Sequence, residues 1–340
     1  MVRFGILGFG HHAAKRLMPG FASAKQCTVR GFWRRDQSKA KEVIGDYREL
    51  SLRSYETPEA LCAAPDVDAI FIASPDALHL EHVLLAVKHG KPVLCEKPLA
   101  MNAKECERMI EAAEIENVRF GVAQVFRFEP SVNHMRELVS SGAIGKPLLA
   151  RSEFHYLAQH SPRTWLTDAA LACGGPIGDV AVHCIDALRY ILQDEVHEVY
   201  TRAQYDDGSG AVESAAMLML QFTRGTIAEV TVSTRAEYRT PLWITGDAGR
   251  LGAEDALNVE HAIQLTCQPM TGESSVEQLS NENAYAEQVD AFARWITNGV
   301  PFPAPAMEGL RNQHVLDAAY RSIHSGKSER VPIHRASSGK

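Results

Sequence analysis

Six residues near the start of the chain, Gly8-Phe9-Gly10-His11-His12-Ala13, constrain its fold more than any other stretch. They lie between an apolar run that reads as a buried strand, Val2–Leu7, and an amphipathic helical stretch, Ala13–Ser23. Small residues at the first, third and sixth positions permit a tight strand-to-helix turn, a close approach of backbone to a pyrophosphate, and close packing of helix on strand. The N-terminus of the helix presents the positive end that an anion prefers. A second strand, Cys27–Trp33, begins about 20 residues downstream, which is the context that gives a G-x-G-x-x-A turn nucleotide-binding meaning. A tight turn with no ligand is the plain alternative.

The first 123 residues keep this alternation. A helix is expected around Ser38–Ile44, a strand at Ala69–Ala73, and a helix over Leu78–His89 with its apolar stripe at Leu80, Val83, Leu84 and Val87. Strands at Pro92–Cys95 and Arg119–Ala123 flank a helix near Asn102–Glu116. Strands alternating with helices imply a parallel sheet covered on both faces, an α/β Rossmann dinucleotide-binding domain over residues 1–123.

After Gln124 the grammar changes. A helix over Ser131–Ser140 and a turn at Gly142–Gly145 precede a strand, Leu148–Tyr156, and a helix follows near Gly178–Leu192. Strands are then expected at Val196–Gln204, Ala215–Phe222, Thr226–Thr234, Leu242–Thr245 and Ile263–Cys267, on short turns such as Asp206-Asp207-Gly208 and Thr223-Arg224-Gly225. Helices Tyr285–Asn298 and Met307–Ser325 close the chain, with a frayed tail from Ser337. Consecutive strands on short turns mean an open mixed or antiparallel sheet, so residues 124–340 are expected to form a second, α+β domain.

Composition narrows the function classes. The 340 residues suffice for two domains, and 45% hydrophobic with 23% charged residues is ordinary for a globular chain. A net charge of -7 and the absence of a basic stripe argue against nucleic acid as a partner. Seven cysteines with no C-x-x-C pair argue against a zinc ribbon or a disulfide scaffold. There is no apolar run of about 18 residues to span a membrane, and the first strand starts at Val2 with no leader before it, so the cytoplasm is the expected setting.

Where an NAD-binding chain usually carries a carboxylate for the ribose diol, at the end of the second strand, this one reads Trp33-Arg34-Arg35-Asp36. Two guanidiniums suit a 2′-phosphate, so NADP is the expected cofactor. NAD is the alternative if Asp36 reaches the ribose; its plain role is to cap the next helix.

Three further segments carry chemistry-bearing residues: Ser74-Pro75-Asp76-Ala77-Leu78-His79, Cys95-Glu96-Lys97-Pro98, and Gly174-Gly175-Pro176-Ile177-Gly178-Asp179-Val180-Ala181-Val182-His183-Cys184-Ile185-Asp186. In this order, together with the glycine turn, they resemble the glucose–fructose oxidoreductase / inositol dehydrogenase (Gfo/Idh/MocA) family over nearly the whole length. The resemblance implies a Rossmann domain followed by a domain whose open sheet serves substrate binding and subunit contact. It implies that Lys97 lies beside nicotinamide and substrate, that Asp179 and His183 complete the site, and that the Lys97-Pro98 bond is cis. The expected cofactor-binding set is Gly8, Phe9, Gly10, His11, His12, Arg34, Arg35, Ser74, Pro75, His79, Glu96 and Lys97. Arg34 departs from the family pattern, in which many members carry an acidic residue at that place.

Oxidation of an alcohol needs loss of a hydride and loss of a hydroxyl proton at one carbon. Asp179 and His183 are four apart in a helical segment and share one face, so the carboxylate can orient the imidazole and make His183 a general acid/base. Lys97 then hydrogen-bonds the reacting oxygen. The reverse assignment, Lys97 as base and His183 as orienter, fits the same residues. A metal held by Asp179, His183 and Asp186 is a further alternative, but a nicotinamide reaction with a lysine present needs none, and no metal is expected. His82 is expected on a helix surface. Gln124, Arg127, Tyr156, Arg163 and Trp165 are the candidate substrate-binding residues.

The expected function is an NAD(P)-dependent oxidoreductase interconverting a secondary alcohol and a ketone or aldehyde on a sugar, polyol or related small polar molecule. A non-catalytic NADP-binding sensor on the same fold is the alternative, and imine reduction or glycoside cleavage is a third possibility. A homodimer or homotetramer through the second domain's sheet is expected, because helices cover only part of that sheet.

Overall fold

A computed structural model of the chain describes residues 1–159, 161–206, 212–259 and 261–333. Asp207 and Gly208 of one expected turn, and the tail from Ser337, lie outside the described residues. The chain divides into two compact units: Met1–Phe128 with Ala170–Cys173 and Asn283–Leu310, and Glu129–Ala169 with Gly174–Glu282 and Arg311–Lys340.

The first unit is built on six strands: β1 (Val2–Leu7), β2 (Cys27–Trp33), β3 (Arg53–Ser54), β4 (Ala69–Ile72), β5 (Val93–Cys95) and β6 (Phe120–Val122). They pair in parallel in the order β3-β2-β1-β4-β5-β6. This is the doubly wound order with its reversal between β1 and β4, and ligands of such sheets bind at the carboxyl ends of the strands. Every residue of β4, β5 and β6 is buried, as a strand covered on both faces requires. Segment Asn283–Leu310 packs with this unit although it follows the second sheet in sequence. Its helix Ala284–Asn298 brings Phe292 against Phe4, and the Asp290 carboxylate accepts from Lys25 N and Gln26 N at the start of β2 (2.8 and 2.7 Å).

Among the described residues the second unit carries ten strands: β7 (Pro147–Leu157), β8 (Val196–Gln204), β9 (Ala215–Phe222), β10 (Ile227–Ser233), β11 (Arg235–Arg239), β12 (Leu242–Gly246), β13 (Gly249–Ala253), β14 (Ala262–Pro269), β15 (Ser275–Ser280) and β16 (Glu329–Arg330). They form one sheet in the order β15-β14-β13-β12-β7-β10-β9-β8-β16, with β11 paired to β7. Only β7 and β10 run parallel; all other pairs are antiparallel, so the sheet is mixed. One face is apolar and covered, with Ala150, Leu218, Leu220, Ala228, Val230, Val232, Leu242 and Ile244 buried. Register places their neighbours on the other face, where Leu149, Met217, Met219 and Ile227 are exposed beside Arg151 and Glu229.

Candidate functional site

In the first unit the glycine turn closes on the ends of β2 and β4. Gly8 N and Phe9 N both donate to the Trp33 carbonyl at 3.0 Å. Gly8 has φ +90°, and a Cβ there would lie 2.5 Å from Ser74 N, so no other residue fits. At Gly10 the reverse holds: an added Cβ would meet nothing nearer than Gly8 O at 3.9 Å. The space over Gly10 is therefore open to a ligand that approaches the backbone closely, as a pyrophosphate does. The following segment begins as a π-turn, Ala13–Leu17, and continues as α-helix Met18–Ser23.

His12 and Glu96 tie this turn to the end of β5, with Nε2 and Oε1 2.8 Å apart. Burial alone would push the Glu96 carboxyl up, but the charge and hydrogen bond of His12 outweigh it and hold the group below its usual range. Glu96 Oε2 also accepts from Lys97 N (3.2 Å), and the Lys97-Pro98 bond is cis. His79 is fully buried, with Nε2 3.0 Å from Ser74 O and Nδ1 3.1 Å from Pro98 O, so it joins the loop after β4 to the turn carrying Lys97. His82 corrects its expectation: it lies inside, 2.9 Å from Ser74 Oγ and edge-on to Trp33. Burial first, then the neighbouring His79, lowers its pKa to about 4, so it is a neutral partner.

At the end of β2, Asp36 caps the next turn, accepting from Ser38 N at 3.2 Å and from the Ser38 hydroxyl. Those bonds lower its pKa, the hydroxyl bond foremost. Arg34 is half-buried, and its Nε, shielded from solvent, has no hydrogen-bond partner among the described residues; Arg35 is exposed. His11 is exposed, and Phe9 packs on Phe32. Gln124 and Arg127 are buried; the Arg127 guanidinium bonds Pro303 O and Glu308, both at 2.8 Å, which gives it a structural partner within the unit.

In the second unit, alternation along β7 turns Phe154 and Tyr156 to the covered face, where the segment after Gly174-Gly175 lies. That segment is a π-turn, Ile177–Ala181, running into α-helix Val182–Leu192; single π-turns of this kind recur at functional sites. Asp179 is buried and its carboxylate is held by three donors: Tyr156 Oη at 2.6 Å, and Arg163 Nη1 and Nη2 each at 3.2 Å in a forked pair. Burial and then the Asp179 charge push the Tyr156 phenol up, so it stays a donor. His183 stacks on Phe154, ring centroids 6.0 Å apart. Asp186 accepts from Asn312 Nδ2 (2.7 Å) and has a structural partner there. Trp165, half-buried, stands in a short 3-10 turn, Thr164–Thr167. Among the described residues no cluster of three or more His, Cys, Asp or Glu side chains is placed to hold a metal, and no helix is long and apolar enough to cross a membrane.

Two residues beside Asp179 carried no signal in the sequence. Glu213 and Tyr320 meet at the start of the π-turn, where Glu213 Oε1 accepts from Ile177 N (2.9 Å) and Tyr320 Oη (3.0 Å). They belong to no motif and stand far apart in the chain.

Comparison with known proteins gives a consistent set of likenesses. Residues 2–124 match the oxidoreductase family with an NAD-binding Rossmann fold, and residues 132–252 match the GFO/IDH/MocA C-terminal domain. An inositol 2-dehydrogenase of Acidothermus cellulolyticus is 31% identical over 334 residues, covering 95% of this chain and 93% of that protein. A D-xylose 1-dehydrogenase [NADP(+)] of Haloarcula marismortui is 25% identical over 338 residues, 97% of this chain and 93% of that one. Among solved structures, an aldose-aldose oxidoreductase from Caulobacter crescentus complexed with glycerol superposes with a TM-score of 0.89 at 25% identity, covering 97% of this chain and 99% of that one.

Proposed function

The chain belongs to the GFO/IDH/MocA family of oxidoreductases with an NAD-binding Rossmann fold, and from that premise we propose that it interconverts a secondary alcohol and a carbonyl on a sugar or polyol, with NADP as its preferred cofactor. The Asp179 carboxylate, fixed by Tyr156 and Arg163 in the segment that bears His183, carries this reading. A group prepared in that way serves proton transfer, which a mere nucleotide sensor has no need of.

The bound nicotinamide supplies the place to which, or from which, the hydride goes. His183 takes the hydroxyl proton on oxidation and returns it on reduction. Asp179 holds the segment that bears His183 through Tyr156 and Arg163, and Lys97 Nζ donates to the reacting oxygen as negative charge develops there. Glu96, His79 and Ser74 hold the turn from which Lys97 projects. Gly8, Phe9, Gly10, His11, His12 and Pro75 line the pyrophosphate and ribose positions. Gln124, Tyr156, Arg163 and Trp165 are assigned to the substrate hydroxyls, with Arg127 supporting them through Glu308.

NADP preference rests on two observations. Asp36 is committed to Ser38, and Arg34 stands half-buried at the same strand end, where a guanidinium suits a 2′-phosphate. The relatives include a dehydrogenase named for NADP(+). The cofactor-binding domain is assigned to residues 1–123, with Ala170–Cys173 and Asn283–Leu310 packed in the same unit. The open face of the second unit's sheet, bearing Leu149, Met217, Met219 and Ile227, is assigned to contact with a second copy of the chain.

The reading is tested by following NADP+ reduction with a panel of aldoses and inositols. Wild type is expected to turn over at least one of them, and Lys97→Met and His183→Ala are each expected to lower kcat by about 10²- to 10⁴-fold. Tight NADPH binding with no turnover of any member, and no effect of either substitution, would favour the sensor.

A further inference from the structure

We propose that Glu213, with Tyr320, is a positioning residue for the helix that carries Asp179 and His183. The inference rests on the reading of those two residues given above and assigns a role to a buried carboxyl that no motif contains.

Glu213 is only 2% exposed. Oε1 accepts from Ile177 N, the first residue of the π-turn, and from the Tyr320 hydroxyl. A helix start leaves several N–H groups without intrahelical partners, and a buried start must satisfy them from elsewhere. Glu213 does this from the segment that leads into β9, so the helix start is tied to a distant part of the chain and not only to its own chain neighbours.

The two glycines of the motif belong to the same contact. Gly174 has φ +133°, and a Cβ there would lie 1.6 Å from Tyr320 Oη. A Cβ on Gly175 would lie 1.9 Å from Glu213 O. Both positions are glycine because Glu213 and Tyr320 press against the backbone there. Gly175 O in turn accepts from Asp179 N at 2.9 Å, so the chain of contacts runs from Glu213 through Gly175 to the residue whose carboxylate faces Arg163 and Tyr156. Burial raises the Glu213 pKa against the bonds from Ile177, Glu213 itself, Gly175 and Tyr320, which agrees with an enclosed contact that solvent does not share.

Positioning matters because a proton-transfer group displaced by about 1 Å can lose about 10²-fold in rate. The test uses the full chain as wild type, Glu213→Ala, Glu213→Gln and Tyr320→Phe. Three quantities are measured: hydrogen exchange in the peptide Gly174–His183, NADPH affinity by nicotinamide fluorescence, and kcat and KM on the sugar or polyol that wild type turns over. Glu213→Ala is expected to lose protection in that peptide alone and about 10²-fold in kcat, with KM and NADPH affinity unchanged. Glu213→Gln, which keeps an acceptor for Ile177, is expected to restore most of both. Tyr320→Phe removes a single hydroxyl and is expected to give the same pattern more weakly, which keeps the test decisive if the alanine variant fails to fold. Unchanged protection and kcat in Glu213→Ala overturn the proposal. So does a loss spread over the whole chain that glutamine fails to repair. Wild type that turns over nothing counts against the oxidoreductase reading, while the exchange measurement still decides whether the contact positions the helix.

Discussion

Gly8 and Gly10 are both glycine, for opposite reasons, and the difference is measurable. Gly8→Ala meets backbone at 2.5 Å and a left-handed φ, which alone costs about 1–2 kcal/mol, so thermal stability and NADPH affinity are expected to fall together. Gly10→Ala meets nothing in the protein, so stability should hold while NADPH affinity falls, because the new methyl occupies the ligand's side of the turn. Calorimetry paired with fluorescence titration separates the two; a Gly10→Ala protein that binds NADPH like wild type would remove the pyrophosphate from that spot. Glu96 makes a pH prediction. Its folded pKa lies below the ordinary 4.5, so its bond to His12 stabilises the fold fully above that value and the contribution is lost as pH falls through the folded pKa. Glu96→Gln is expected to flatten the decline of melting temperature on acidification below about pH 4.5, and an unchanged acid limb would deny the pair its role. At this scale the sequence was readable where a residue's job is set by its neighbours in the chain. The Asp36 cap needs only Ser38 two residues on. His82 was misjudged because its partners, Ser74 and Trp33, come from two other elements, and helix periodicity does not reveal which polar face is buried.

Elements were legible where their apolar residues ran on without interruption; β13, four of whose five residues are buried, is hidden from the pattern by its two glycines. The strands at Val2–Leu7, Cys27–Trp33, Val196–Gln204 and Ala215–Phe222 stand where the pattern puts them, since each alternates or runs apolar over most of its length. Strands β11 and β15 were missed because their residues are largely exposed and polar; they exist through pairing with β7 and β14. Neither π-turn leaves a trace in composition, although one follows the glycine turn and the other contains Asp179. Helix Ala284–Asn298 was recognised, but its place in the first unit depends on Asp290 reaching Lys25 N and Gln26 N. Asp290→Ala strips the Lys25 and Gln26 amides of a charged acceptor in two part-buried bonds, and a loss of about 1.5–3 kcal/mol in chemical denaturation is expected. A change below about 0.5 kcal/mol would mean that the helix docks through Phe292 and its apolar neighbours alone.

For the whole molecule, the alternation in β7, β9 and β10 that builds the covered face also leaves Leu149, Met217, Met219 and Ile227 in one exposed band, between 43% and 57% accessible. A second copy would remove that band from water. Met219→Glu is therefore expected to shift sedimentation towards the monomer without loss of helix or strand signal, whereas a wild type that sediments as monomer at every concentration would leave the band without its assigned partner. The fold and the order of its motifs were readable because each motif is contiguous. The network around Asp179 was only partly so, since Tyr156 and Arg163 come from a strand and a loop before the motif, and Glu213 from the segment leading into β9 after it. The proposed preference for NADP hangs on Arg34. Nicotinamide fluorescence on titrating wild type and Arg34→Ala with NADPH and NADH tests it most directly. Much tighter binding of NADPH to wild type is expected, with the difference lost in Arg34→Ala and NADH affinity little changed. Equal or tighter binding of NADH by wild type would contradict it and transfer the role to Asp36 on a ribose.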